Sequence, residues 1–539
     1  MGNINLRNKV KNTGTVTQTN LPYDPSEFPR EVTRHYISAS EEDLNEMLSQ
    51  IGIKSLSQLF SHINPENFFP QPIHLPEEQH YGEACDTLVN ISKRSNLRTS
   101  FIGDQLPVWK TPDIVDFISN LRPLSTSYTP YQPERSQGTL ISHWIYQCAI
   151  SILTGFEAIN TSLYDRSFAI YEAIACAIRT SRRGSRVLLA STLFKEDMEV
   201  LQTLAKETSI VFDFLDVDES TGTCNLAALN KISVDRKLSY SAFVFPQTNS
   251  LGMLEDVDVL TDFCDEHQIR SIACIDPFLL GEGGLKPPTE FGKHGVDFIA
   301  GDAQHLAIPP NFGGPGLGIF GCRHNESKKS DLRSTPGRYV GKAKDINGRD
   351  CHVMVLSTRE QHIRKEKATS NVCSNQAFLS TLAGASLLSR GSRGLGKSIE
   401  LAHRAQQRIL EHIHSLEGIE VAFAGVQSPT EVVVRTQKSP SLLINNARAC
   451  NLHLGVDVSH RCKSKDDMGL IKLSFSDTHT EEDIVSLTSF LNEEFSTCHT
   501  LESWKPNGIP DRLLRRHSVK LTNFPEEELR SYYTKLSEL

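Results

Sequence analysis

From about residue 139 onward, short β-branched and aliphatic runs alternate with stretches whose apolar positions recur at helical spacing. The runs predict strands at Arg186–Ala190, Ile210–Asp216, Ala242–Phe245, Ile272–Asp276, Asp297–Ala300 and Gly316–Gly321. The stretches predict helices over about 139–155 and 163–180, at Glu196–Glu207 and at Glu255–His267. Strands and helices that alternate at these lengths are typical of right-handed crossovers onto a mainly parallel sheet, so the predicted class is α/β.

The pattern on either side of this region divides the chain into further predicted parts. Residues 1–30 predict a flexible arm, and residues 31–138 predict a helical segment followed by an extended loop. Ser40 is the predicted N-cap of a helical run from Glu41 to Leu59, whereas the prolines and tyrosines of 123–138 argue against a helix there. Three parts follow in order: the large α/β domain over 139–371, a smaller C-terminal α+β domain over 372–500 that begins with a helical block over about 372–418, and a tail over 501–539.

Composition excludes several classes of protein. The 539 residues carry 56 Lys plus Arg against 65 Asp plus Glu, and this net charge of −9 argues against nucleic acid as a partner. Twelve cysteines without a C-x-x-C pair predict no metal site and are typical of a reducing compartment. No uncharged apolar run is long enough to span a membrane. We expect a cytoplasmic protein, and the basic residues Arg7, Lys9 and Lys11 leave the mitochondrial matrix as the alternative.

Three groups of polar residues could bind a ligand, because ligands of open parallel sheets lie beyond the carboxyl ends of the strands. Asn160-Thr161-Ser162 precedes a predicted helix, where its N–H groups and hydroxyls could hold an anion or only cap the helix. Asp276 follows an apolar strand and could pair with a protonated ring nitrogen, or only form a turn with Pro277. His305 precedes Gly313-Gly314-Pro315-Gly316 and is compatible with a structural role. These residues alone indicate an α/β protein that could bind a phosphorylated cofactor.

Longer motifs resemble one family in their order and spacing. They are Tyr128-Thr-Pro-Tyr-Gln-Pro-Glu-Arg-Ser-Gln-Gly138, Asn160-Thr-Ser-Leu-Tyr-Asp165, Gly252-Met-Leu-Glu-Asp256, Gly313-Gly-Pro-Gly-Leu-Gly318, Arg338-Tyr-Val-Gly341 and Thr358-Arg-Glu-Gln-His-Ile-Arg-Lys-Glu-Lys-Ala-Thr-Ser-Asn371. From about Arg34 to Phe495 the chain resembles the N-terminal half of glycine decarboxylase, the P-protein of the glycine cleavage system. In two-subunit versions this half is glycine dehydrogenase (decarboxylating) subunit 1. The resemblance implies the fold of fold-type-I pyridoxal-phosphate-dependent transferases, with a mainly parallel large domain and a smaller C-terminal α+β domain.

The resemblance also implies a reaction and partners. In that family, glycine forms a Schiff base with pyridoxal phosphate and loses its carboxylate, and its aminomethyl carbon passes to the lipoyl group of H-protein. The cofactor is the electron sink, and the protein supplies orientation and electrostatics. The chain is expected to act with a lysine-bearing subunit 2, as αβ or α2β2. The stretches Ile509 to Arg515 and Phe524 to Ser537 resemble the opening of the family's C-terminal half, as in a split or interrupted version of the enzyme.

Site residues follow from the same resemblance. A Schiff-base enzyme needs a lysine, and counting back from Gly313 places Gln304 at the position of the family's lysine. Pyridoxal phosphate is therefore expected on the partner subunit, with none bound covalently here. Asp276, Thr161 and Ser162 are expected to mark a vestigial cofactor site. Six further residues are expected to line the subunit interface or the pocket, and they are Tyr128, Tyr131, Glu134, Arg359, His362 and Arg364.

Departures from the family's motifs leave two alternatives open. Gly103-Asp104-Gln105-Leu106-Pro107 lacks a second glycine and a tyrosine, and Arg166-Ser167-Phe168 stands where many relatives have Gly or Glu-Ala. Gln247-Thr248-Asn249 stands where the family has Tyr-Pro-Asn. Such losses are compatible with a non-catalytic pseudoenzyme. The other alternative is an independent pyridoxal-phosphate enzyme that uses Lys286 or Lys293.

Overall fold

The computed structural model describes residues 40–67, 80–94, 99–104, 108–125, 128–181, 183–234, 239–325, 331–356, 361–365, 368–370, 373–462, 468–497, 508–519 and 521. Met1–Asn96 and Leu97–Leu539 are two separate structural units, and each is described by itself. Among the helices in these ranges, none is long and apolar enough to cross a membrane.

The described part of the first unit is helical, with α1 (Glu41–Gln50), α2 (Leu56–Leu59) and α3 (Tyr81–Ser92). Ser40 caps α1 as predicted. Its hydroxyl accepts a hydrogen bond from the Asp43 N–H, and the Asp43 carboxylate accepts one from the Ser40 N–H at 2.9 Å. The predicted helical run from Glu41 to Leu59 is interrupted, because Gly52 takes a left-handed φ of 74° just after α1 ends.

The second unit contains strands and helices in alternation. Its strands are β1 (Thr99–Ser100), β2 (Ala158–Ile159), β3 (Arg186–Ala190), β4 (Val211–Leu215), β5 (Val217–Asp218), β6 (Thr223–Cys224), β7 (Ala242–Pro246), β8 (Arg270–Ile275), β9 (Phe298–Asp302), β10 (Gly318–Cys322), β11 (Tyr339–Lys344), β12 (Asp350–Val355), β13 (Leu416–Glu417), β14 (Ile419–Val421), β15 (Glu431–Thr436), β16 (Leu452–His453), β17 (Val456–Asp457), β18 (Gly469–Ser474) and β19 (Ser496–Thr497). Its helices are α4 (Asp113–Ser119), α5 (Arg122–Ser125), α6 (Gln137–Thr154), α7 (Arg166–Ser181), α8 (Lys195–Ala205), α9 (Leu226–Val234), α10 (Val257–His267), α11 (Gln304–Ala307), α12 (Gln361–Arg364), α13 (Ser374–His414), α14 (Pro440–Ala449) and α15 (Glu481–Glu494).

The central sheet has seven strands in the order β2-β10-β9-β8-β7-β3-β4. The pairs from β9 to β4 are parallel, whereas β10 runs antiparallel to both β9 and β2. Every residue of β7 is buried, which is typical of a parallel strand covered on both faces. The predicted mainly parallel sheet is therefore confirmed, and β3 begins and ends where the sequence predicted.

Two long helices pack beside the sheet. Helix α7 contacts β9 and β10, and α6 packs along α13. The predicted helical block over 372–418 corresponds to α13, which is kinked at Gly391 because that residue has φ 60° and ψ −177°. Only glycine adopts these angles without strain.

A four-stranded antiparallel sheet, β14-β15-β18-β17, forms the α+β region near the C-terminus. Strand β1 pairs in parallel with β16, so a segment from the predicted N-terminal part lies against this region. Phe101 strengthens that attachment, since its ring lies 5.6 Å from that of Phe475 and 4.6 Å from that of His479.

Two local expectations are wrong. Residues 122–125 form α5 where no helix was predicted, and Pro123 is tolerated there because it lies in the first turn, where its missing N–H is not needed. Helix α7 begins at Arg166 and not at 163, because Leu163 pairs with Gly318 beside the sheet. The hairpin β11–β12 was not predicted at all.

Candidate functional site

A cavity of about 70 Å³ lies at the carboxyl ends of β3, β7 and β8, where an open α/β sheet binds its ligands. Its lining residues are Gly103, Arg166, Leu193, Phe194, Asp197, Pro246, Thr248, Cys274, Ile275, Asp276, Leu279, Thr430 and Glu431. A larger groove of about 550 Å³ lies between the 281–285 loop, α13 and the segment after residue 508, away from these strand ends. The smaller cavity is therefore the candidate site.

Asp276 lies at this cavity as predicted, but a side chain of the same chain already contacts it. Its Oδ1 accepts a hydrogen bond from the Phe278 N–H at 2.9 Å and lies 2.8 Å from Nε2 of His305. Burial lowers the pKa of His305, but the charge of Asp276 and this hydrogen bond outweigh it, so the pKa of His305 is raised. The sequence predicted that Asp276 could pair with a protonated ring nitrogen of a cofactor. In the structure, the ring nitrogen that contacts Asp276 belongs to His305.

Gln304 is buried as the first residue of α11, directly after β9. Its N–H donates to Asp302 at 2.7 Å, and its Nε2 lies 3.4 Å from both the Pro309 carbonyl oxygen and Oδ1 of Asn311. The side chain therefore turns toward the 309–311 loop, and Gln304 does not line the cavity.

Arg166 fills part of the cavity, and sequence reasoning assigned it no role. Its Nε donates to Asp197 at 2.7 Å, and its guanidinium carbon lies 4.4 Å above the Phe194 ring. Ser167 donates to the other oxygen of Asp197 at 2.5 Å. The available signal was the departure at Arg166-Ser167-Phe168, because a large cation stands there in place of Gly or Glu-Ala.

A second group of ion pairs borders the cavity, and most of its members come from the C-terminal part of the chain. Asp104 lies 2.6 Å from Arg461 and 2.9 Å from Nζ of Lys472, and Lys472 lies 3.0 Å from Glu431. Burial would raise the pKa of Asp104, but the two cations outweigh it and lower that pKa to about 2. Arg461 and Lys472 also lie 5.5 and 5.0 Å from the Phe194 ring. Asp104 belongs to another of the three departures from the family's motifs.

Thr161 and Ser162 do not form the predicted anion site. They lie before α7, whose first turn Asp165 caps by accepting from the Phe168 N–H at 2.8 Å. The N–H and hydroxyl of Thr161 both donate to the Arg338 carbonyl oxygen, at 2.8 and 2.9 Å. The expectation of a helix N-terminus at 160–162 is therefore wrong, and neither residue lines the cavity.

The predicted interface residues lie outside the cavity. Tyr128 is 75% exposed, and Tyr131 packs beneath Arg338, whose guanidinium carbon is 5.7 Å from its ring. Glu134 is exposed, as are His362 and Arg364 on α12. Arg359 lies outside the described residues. The interface role of these residues stays a prediction.

The lysines considered for an independent enzyme do not line the cavity either. Lys286 Nζ lies 2.7 and 3.0 Å from the two oxygens of Asp258, and Lys293 is 68% exposed near Glu266. Lys472 is nearest to the cavity among these three, but its ammonium is held by two carboxylates.

The residues present do not fit pyridoxal phosphate. Cofactor-sized ligands need roughly 300–1,000 Å³, several times the volume of this cavity. The cations that could hold a phosphate are paired with Asp197, Asp104 and Glu431, and His305 already contacts Oδ1 of Asp276. The lining of the cavity, as far as the structure describes it, therefore does not fit the cofactor and includes no lysine.

Known proteins of one family are similar to this chain. A family model described as "Glycine cleavage system P-protein" matches residues 34–491. A probable glycine dehydrogenase (decarboxylating) subunit 1 of Nitrosospira multiformis is 33% identical over 408 residues, which is 76% of this chain and 88% of that protein. A crystal structure of glycine decarboxylase (P-protein) of the glycine cleavage system, in inhibitor-bound form, has a TM-score of 0.71 at 30% identity and covers 84% of this chain and 98% of its own.

The fold is shared more widely than the sequence. A NifS-like protein only 14% identical still covers 74% of this chain and 99% of its own at a TM-score of 0.54, which shows a common fold alone. The predicted fold-type-I class is thereby confirmed. With the match over 34–491 and the subunit 1 relative, this chain belongs to the glycine cleavage system P-protein family.

Proposed function

We propose that this chain is subunit 1 of a two-subunit glycine decarboxylase and carries neither the Schiff-base lysine nor pyridoxal phosphate. The observation that carries the proposal is the filling of the cavity at the strand ends. His305 contacts Asp276 at 2.8 Å, and Arg166 and Lys472 are held in buried ion pairs. Buried, mutually paired charges support a structural contribution to the complex, because none is left to hold a phosphate or to form an imine.

In the proposed assembly, a lysine-bearing subunit 2 binds the cofactor, which supplies the electron sink for loss of the glycine carboxylate. The aminomethyl product passes to the lipoyl group of H-protein. This chain contributes the surface around Tyr128 and Tyr131, since exposed aromatic side chains are enriched in protein interfaces. The Arg338 guanidinium carbon lies 5.7 Å over the Tyr131 ring and helps to orient it.

The proposal includes a cytoplasmic location. The subunit 1 relative is bacterial, and no disulfide joins the eleven cysteines within the described residues. Cysteines without disulfides, spread through a large chain, are typical of a reducing compartment.

The first test is an absorption spectrum of the isolated chain with pyridoxal phosphate, before and after borohydride. We expect no reducible aldimine. The chain is then combined with a bacterial subunit 2, pyridoxal phosphate and lipoylated H-protein, and glycine–bicarbonate exchange is assayed. We expect association and exchange, both weakened by Tyr131→Ala and unaffected by Phe214→Ala, which removes an exposed aromatic ring from the sheet-edge strand β4.

Each failure has its own meaning. An aldimine in the isolated chain would identify an independent pyridoxal-phosphate enzyme. A folded chain that neither binds subunit 2 nor restores exchange would identify a non-catalytic pseudoenzyme.

A further inference from the structure

We propose that the cavity between Asp276 and Arg166 binds a small α-amino acid as the free zwitterion, and that glycine is the amino acid that fits. The binding is non-covalent, because none of the described lining residues is a lysine. This inference rests on the proposed function only in taking this half to be free of pyridoxal phosphate. It gives the subunit a ligand site separate from the reaction centre expected on subunit 2.

The first argument is size. A cavity of about 70 Å³ holds roughly five to seven water molecules, at 10–15 Å³ of probe-occupied volume each. Glycine has about five non-hydrogen atoms, so it matches the number of waters it would displace. Larger amino acids would meet the Phe194 and Leu279 side chains that line the same space.

The second argument is an unused acceptor. Both hydrogen bonds of the Asp276 carboxylate go to Oδ1, from the Phe278 N–H and from Nε2 of His305. Within the described residues Oδ2 has no hydrogen-bond partner, and the side chain is 22% exposed at the cavity. A carboxylate can accept about four hydrogen bonds, so Oδ2 is suited to an ammonium group.

The third argument is charge balance. The charged lining residues are Arg166, Asp197, Asp276 and Glu431. His305 contacts Asp276, Arg461 and Lys472 contact the Phe194 ring, and Asp104 pairs with both of these cations. Apart from Glu196, which is 52% exposed near Arg461, these groups make four cations and four acids. A ligand with one charge of either sign would disturb this balance, whereas a zwitterion preserves it.

The test is equilibrium dialysis of the isolated full-length chain against radiolabelled glycine. We expect saturable binding of one glycine per chain, competed by unlabelled glycine but not by methylamine, acetate or L-leucine. Methylamine carries only the cationic end and acetate only the anionic end, while leucine carries both ends but exceeds the cavity. Competition by methylamine or acetate alone would overturn the zwitterion assignment, and absence of saturable binding would overturn the site.

Two variants test the position of the site. Asp276→Asn removes the acceptor charge and is expected to weaken glycine binding by at least about tenfold. Cys274→Met keeps every charge but fills part of the cavity, and it is expected to abolish binding. Glu199→Gln, at an exposed position on α8, is the matched control and should bind as the parent does.

Thermal melting with and without glycine shows whether each variant is folded. Folded variants that keep parental affinity would place the glycine elsewhere and overturn the proposal. Failure of the subunit 2 exchange assay would leave this binding unchanged, so the two proposals fail separately.

Discussion

At the scale of single residues, two departures from the family's motifs explain the chemistry of the cavity. Arg166 and Asp104 belong to segments far apart in the sequence, yet both contribute to buried ion pairs around Phe194. Such charges are tolerated away from water only with close partners. In the sequence, these changes of residue type indicate the loss of a family motif. In the structure, they form a new set of contacts around the cavity.

Lys472 provides the first prediction. Its side chain is fully buried between Asp104 and Glu431, so Lys472→Met leaves two buried carboxylates without their shared cation. We expect the free energy of unfolding to fall by about 3–5 kcal/mol, measured by chemical denaturation. The exposed pair of Lys344 with Asp350 supplies the control, and Lys344→Met should change the free energy of unfolding by less than about 1 kcal/mol. Equal effects of the two variants would contradict the prediction.

His143 provides a prediction of pH dependence. Burial lowers its pKa from 6.5 to about 4, so the unfolded chain binds more protons than the folded one between these values. The contribution of His143 is fully present above pH 6.5 and is lost as the pH falls toward 4, by about 3 kcal/mol in all. Chemical denaturation at several pH values should show that the free energy of unfolding depends less steeply on pH for His143→Gln than for the exposed control His362→Gln. The same pH dependence in both variants would contradict the prediction.

At the scale of elements, local sequence signals fixed several helix starts. The capping box at Ser40 starts α1 where the sequence predicted a helix, and a second capping box at Thr480 starts α15. Other boundaries depend on contacts distant in sequence, and Leu163 pairs with Gly318 and so delays α7 to Arg166. Capping is a local interaction and can be read from the chain, whereas a strand contact across 155 residues cannot.

The kink of α13 gives a matched pair of glycine substitutions. Gly391 has φ 60° and ψ −177°, so Gly391→Ala should destabilise the protein by about 1–3 kcal/mol. Gly138 lies exposed in α6 with open space around its Cα, so Gly138→Ala should stabilise it by about 0.4–1 kcal/mol. Thermal or chemical unfolding of both variants measures the difference. If both variants change the free energy of unfolding in the same direction, an alanine side chain at residue 391 does not strain the kink.

At the scale of the whole molecule, the segment after residue 508 is part of the second unit. Its Leu513 carbonyl oxygen accepts from the Lys286 N–H, and the Arg515 N–H donates to the Gly284 carbonyl oxygen, both at 3.0 Å. Leu513, Val519 and Leu521 are buried. This segment lies beyond the matched range of 34–491, so its attachment is a property that the family match does not describe.

Truncation tests that attachment. A chain ending at residue 507 loses three buried aliphatic side chains, each worth up to about 1.5–3 kcal/mol, and should melt at a clearly lower temperature. A chain ending at residue 521 keeps them and should melt closer to the full-length protein. If both truncated chains melt alike, the segment contributes nothing to stability.

The sequence by itself determined the α/β class, the mainly parallel sheet and the family, because apolar periodicity and motif order are carried by neighbouring residues. It also located Asp276 at the end of β8. Only the tertiary structure decided that His305 contacts Asp276, that Arg166 enters the cavity, and that Asp104 meets Lys472 across 368 positions of chain. The physical reason is that ion pairs depend on distance in space and on removal from water, and no local pattern encodes either of these.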